Sequence, residues 1–73
     1  MVREVKISSF KEVQKVVQAA AVCMDEIGVH DACGTIADAK SILGLMSLDY
    51  THPVKVVSEN ESELEMILHA LAQ

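Results

Sequence analysis

Apolar and polar positions change period several times along this chain, and each change marks a predicted element. Val2 to Ile7 is short and rich in β-branched residues, which predicts a strand despite imperfect alternation. Ser9 stands three residues before Glu12 as a capping box. Phe10, Val13, Val16, Val17, Ala20, Ala21 and Met24 then recur at helical spacing, predicting a helix to about Val22. Ile27 and Val29 alternate with Glu26, Gly28 and His30. Asp31-Ala32-Cys33-Gly34 reads as a tight turn, and Thr35-Ile36-Ala37 resumes an extended run, so two antiparallel strands are expected. Ser41 caps a short helix with Gly44 inside it, closed by a loop from Leu48 to Pro53. Val54 to Val57 forms the last strand. Ser58 with Glu61, or Asn60 with Glu63, caps a final helix whose Leu64, Ile67, Leu68 and Leu71 share one stripe.

The order β-α-β-β-α-β-α predicts an α+β domain, a four-stranded antiparallel sheet with three helices on one face and solvent on the other. The predicted core is Val5, Ile7, Val13, Val17, Ala20, Ile27, Val29, Ile36, Leu45, Leu48, Val54, Val56, Leu64, Ile67, Leu68 and Leu71. Seventy-three residues allow one domain, residues 1–73, near the lower size limit for a core without metal or disulfide support. Three glycines and one proline leave little scope for linkers.

Charge narrows the partners. A net charge of −5 with only two aromatic residues argues against nucleic acid, which requires a basic face and stacking platforms, and against anionic membranes. The longest apolar run, Ala19 to Met24, is too short to span a bilayer, and no signal-peptide pattern opens the chain, so a cytoplasmic protein is expected. Cys23 and Cys33 form no CxxC pair and lack regularly spaced histidines, which predicts no metal and two reduced, partly buried thiols. No paired acids, no nucleophile with its base and no phosphate-binding glycine loop can be read, so neither an independent enzyme nor a cofactor is expected.

The segment Ala39 to Leu48 reads AKSILGLMSL. It resembles the stretch around the regulatory serine of HPr, the histidine-containing phosphocarrier of the bacterial phosphoenolpyruvate-dependent sugar phosphotransferase system, especially the Gram-positive type. The element order matches that family from end to end, and the resemblance implies its open-faced β-sandwich. In that family a dedicated kinase phosphorylates the serine, and the apolar residues after it contact partners. The resemblance therefore implies Ser41 as a regulatory phosphorylation candidate and Ile42, Leu43 and Met46 as partner-binding candidates. Lys40, beside Ser41, is a further candidate for pairing with a phosphate or a partner carboxylate. Physical reasoning adds that a serine at a helix N-terminus presents its hydroxyl among unpaired N–H groups. As a plain cap, the same serine contributes about 1 kcal/mol. Leu45 and Leu48 already fill the inward stripe of so short a helix, so some of the other apolar side chains must be exposed.

The family's catalytic motif, a histidine capping the first helix followed by arginine and proline, is missing. Phe10 stands near the histidine, Glu12 near the arginine and Val13 near the proline, with a shorter turn before them. Phenylalanine offers no phosphoryl acceptor, and a glutamate repels the incoming charge. Three function classes follow. The first is an HPr-like partner-binding module regulated through Ser41, with phosphotransferase components or an HPr serine kinase as partners. The second is a working phosphocarrier using a relocated histidine among His30, His52 and His69. The third is a small homo-oligomeric module, and the sequence leaves the oligomeric state open.

Overall fold

Local sequence chemistry sets the ends of the helices. In the computed structural model, which describes Met1 to Gln73, helix α1 spans Phe10–Ala21 and starts where the Ser9 hydroxyl accepts the Glu12 backbone N–H at 3.2 Å. Helix α2 spans Ile42–Met46, and the Ser41 hydroxyl accepts the Gly44 N–H at 3.1 Å. Helix α3 spans Glu61–Leu71. Its cap is Asn60, whose side-chain oxygen accepts the Glu63 N–H at 3.1 Å, which decides between the two caps the sequence offered. Ser58 holds the preceding turn instead, its hydroxyl accepting the Asn60 N–H at 3.0 Å.

Four strands, β1 (Val2–Val5), β2 (Gly28–His30), β3 (Ile36–Asp38) and β4 (Val54–Val57), form one antiparallel sheet in the order β1-β4-β2-β3. With the three helices this is the α+β, open-faced arrangement expected, in the order β-α-β-β-α-β-α. No helix is long and apolar enough to cross a membrane. β1 is two residues shorter than the apolar run implied, although Ile7 beyond it is buried.

Pleating divides the strand residues between two faces. Val54 and Val56 of β4, Val29 of β2 and Ala37 of β3 point into the core with Ile27. Val13, Val16 and Ala20 of α1, Leu45 of α2, and Leu64 and Ile67 of α3 close over them. The open face carries two cross-strand rows, Val2–Val57–Gly28–Asp38 and Glu4–Lys55–His30–Ile36.

Several core assignments shift. Ile36, expected inside, is 64% exposed, because the turn from Asp31 to Thr35 pairs Ala37 with Val29 and Ile36 with His30. One residue of register moves a strand side chain to the opposite face, so Ala37 takes the buried place. Val16, not Val17, centres the buried stripe of α1, while Val5, Val17, Leu68 and Leu71 are half-buried at the rim. Cys23 is buried and Cys33 exposed, whereas both thiols were expected to be partly buried. Cys33 sits at the tip of the β2–β3 turn, where no core is within reach; burial raises the Cys23 thiol pKa above its usual value.

Candidate functional site

The connection from β1 to α1 is four residues, Lys6 to Ser9, and its hydrogen bonds are self-contained. The Glu12 carboxylate turns back to accept the Ser8 N–H at 2.9 Å, the Ser8 hydroxyl at 3.1 Å and the Ser9 hydroxyl at 3.3 Å. These bonds, led by the Ser8 backbone N–H, hold the Glu12 pKa below the ordinary carboxylate value. An anion thus occupies the start of α1 and stabilises it through the helix dipole.

Beside this cap, α1, α2 and the loop after α2 leave a cleft of about 540 Å³. Phe10, Val13, Met46, Ile7 and Tyr50 line it, with Lys6, Ser8, Ser9 and Thr51 at its polar edge. Phe10 and Met46 are each about half exposed, and Leu43, on the outward side of α2, is 79% exposed. Tyr50 is fixed from the inside, its hydroxyl donating to the Leu45 carbonyl, and burial raises its phenol pKa. The cleft is therefore an apolar recess between the capped start of α1 and the C-terminal end of α2.

The candidates around Ser41 take different roles. Leu43 and Met46 face solvent, whereas Ile42 is half-buried and packs against the core. Lys40 is tied down: its ammonium donates to the Cys23 carbonyl at 2.9 Å, just beyond the end of α1, and its N–H donates to Asp38 Oδ1 at 2.9 Å. A cation at the carbonyl end of a helix is favourably placed, so Lys40 acts as a strut between α1 and α2. The Ser41 hydroxyl, exposed, is engaged only as the cap of α2. Gly44 permits this closeness, since a Cβ there would stand 3.2 Å from Ser41 Oγ and 3.4 Å from the Ala37 Cβ.

The histidines separate. His69 lies in the last turn of α3, where its Nε2 meets the Gln73 amide nitrogen at 3.0 Å. His30 on β2 and His52 in the α2–β4 loop border one hollow on the open sheet face. No three His, Cys, Asp or Glu side chains converge to hold a metal ion. No protein-family model matches this chain, and no curated protein matches it.

The most connected polar residue was singled out only as part of a turn. Asp31 is buried, with Oδ1 accepting the N–H groups of Cys33 at 3.0 Å and Thr35 at 2.9 Å, and Oδ2 accepting that of Asp49 at 2.9 Å. The Asp49 bond is the main reason its pKa is held down. Asp31 thus joins the β2–β3 turn to the loop that follows α2. An aspartate opening a turn toward glycine signals the first two bonds. The third comes from a loop distant in sequence and has no local signal.

Proposed function

We propose that the chain is an HPr-like cytoplasmic protein that binds protein partners of the sugar phosphotransferase system through the α1–α2 surface. In this reading it lacks phosphohistidine chemistry at the start of α1 and is regulated by phosphorylation of Ser41. The observation that carries the reading is that Phe10 and Met46, both exposed, share one apolar cleft at the site where phosphoryl transfer would require an imidazole and a cation. Exposed apolar side chains grouped around a methionine suit an adaptable protein contact. Leu43 extends that surface to within two residues of Ser41. A phosphoryl group on Ser41 would place about two negative charges at the edge of this patch, beside the Gly44 N–H, and so alter docking locally.

One labelling experiment tests the proposal in both directions. Incubation with enzyme I and phosphoenolpyruvate leaves the protein unlabelled, while an HPr serine kinase with ATP labels it and Ser41→Ala removes the signal. Leu43→Lys and Met46→Lys reduce kinase labelling without moving the unfolding midpoint, since both side chains face solvent. Acid-labile phosphate on a histidine, or kinase labelling that survives Ser41→Ala, would overturn the reading.

A further inference from the structure

The two edges of the sheet are β1 and β3, and register decides which of their backbone groups face outward. The Asp31 N–H donates to the Thr35 carbonyl at 3.0 Å and the Ala39 N–H to the Ile27 carbonyl at 2.9 Å. The positions bonded to β2 are therefore the alternate ones, Thr35, Ala37 and Ala39. Ile36 and Asp38 turn their backbone groups the other way, toward the free edge. There the Ser41 N–H takes the Asp38 carbonyl at 2.9 Å, which leaves the Ile36 N–H, the Ile36 carbonyl and the Asp38 N–H without a partner. An unpaired edge row of this kind is a template for another strand.

The β1 edge is guarded by charge. Arg3 donates from its guanidinium to the outward Val2 carbonyl at 3.2 Å, pairs with Glu65 at 3.3 Å, and is followed by Glu4. Charged side chains on an edge discourage strand addition. β3 carries no such guard at its first two residues. Ile36 is 64% exposed, and a recess of about 260 Å³, lined by Ile27, Gly28 and Ala37, runs beside it with no other element of the chain filling it.

We infer that two copies of the chain associate by pairing their β3 edges antiparallel about a two-fold axis at Ile36, joining the two sheets into one. Ile36 of each copy then exchanges both backbone bonds with Ile36 of the other, and the two isoleucine side chains meet on the open face. Self-complementarity favours a second copy over an unrelated strand, since Ile36 offers one donor and one acceptor on the same edge and the axis matches each to the other. Charge selects the direction. Antiparallel pairing sets Asp38 opposite Gly34 of the other copy, which carries neither charge nor Cβ, whereas parallel pairing in register sets the two Asp38 carboxylates side by side. The contact is isologous and closes at two copies, because it consumes both β3 edges and leaves the guarded β1 edges outside. A three-residue strand makes a small interface, and each copy carries a net charge of −5, so association falls in the weak, transient class. None of the residues lining the α1–α2 cleft takes part, so this dimer and the docking proposed above stand or fall separately.

Sedimentation equilibrium of the full chain, from micromolar to millimolar concentration, tests this together with filtered NMR on a mixture of isotope-labelled and unlabelled protein. A monomer–dimer equilibrium is expected, and added salt strengthens it by screening the repulsion between the copies. Thr35 and Ala37 of opposite copies face each other as a non-bonded pair, so an intermolecular contact between their Hα protons marks this register. Ile36→Lys sets like charges opposite each other and weakens association about tenfold. Replacing the Ile36 N–H by an ester oxygen through chemical synthesis removes one donor from each copy and weakens it by a similar factor. Both changes leave the urea midpoint of dilute protein in place, because Ile36 is exposed and its N–H has no partner in the monomer. A chain that stays monomeric at every concentration, or a dimer that neither change weakens, refutes the β3 pairing.

Discussion

Asp31 shows how one side chain can couple two segments that share no strand pairing. Its two oxygens accept three N–H groups from the β2–β3 turn and the following loop, and all three bonds favour the ionised form. A carboxylate whose folded pKa is depressed contributes stability above the unfolded-state value, and that contribution is lost as the pH falls through the folded one. In Asp31→Asn an amide nitrogen would confront the N–H of either Asp49 or the turn, a donor against a donor. Urea unfolding at pH 7 is therefore expected to show a lower midpoint for Asp31→Asn than for the natural chain. The difference shrinks in acid below the ordinary carboxylate range, because the natural chain loses its advantage there. Half of this arrangement was legible, since the Asp31 to Gly34 turn is written in its residues. The Asp49 contact was not, because it depends on where α2 delivers the chain. Ile36 failed for a related reason: a three-residue strand has too few alternations to fix its own face, and the turn geometry decides it.

Among the elements, α2 is the most finely balanced. It has five residues, too few to be stable alone, and depends on its cap and on Leu45 reaching the core. Removing the cap in Ser41→Ala costs about 1 kcal/mol. Replacing Gly44 by alanine would ordinarily gain about 1 kcal/mol in helix propensity, but the new Cβ would crowd Ser41 Oγ at 3.2 Å. The two substitutions should therefore be coupled. Gly44→Ala gives no gain in the natural chain and a gain in the Ser41→Ala background, measurable as a double-mutant cycle by urea unfolding. The cap was legible from spacing, which also required some apolar side chains of α2 to face outward but did not separate Leu43 and Met46 from the half-buried Ile42. Lys40's anchoring to the end of α1 was not, since a lone lysine beside a serine carries no sign of a carbonyl on another helix. That His30 and His52 border one hollow was equally hidden, being a product of sheet order and not of spacing.

At the scale of the molecule, the apolar order of the elements was enough to specify the layers, because each amphipathic element has only one face to bury. The sheet order β1-β4-β2-β3 gives β4 a special place: it is flanked by both β1 and β2 and is the last strand in sequence. Val2 pairs with Val57, so the first strand has no partner until the last has been made. On the ribosome, therefore, the growing chain can close only the local β2–β3 hairpin early, and the sheet waits for the final quarter of the sequence. Non-local pairing of this kind slows folding and leaves apolar surface open meanwhile. A fragment of residues 1–53 should give no dispersed amide spectrum, and adding a peptide of residues 54–73 should restore one if the core can assemble from two pieces. The sheet and its core are thus completed in a single step in which β4 and α3 arrive together, and chaperone demand should be concentrated in the interval before both have emerged.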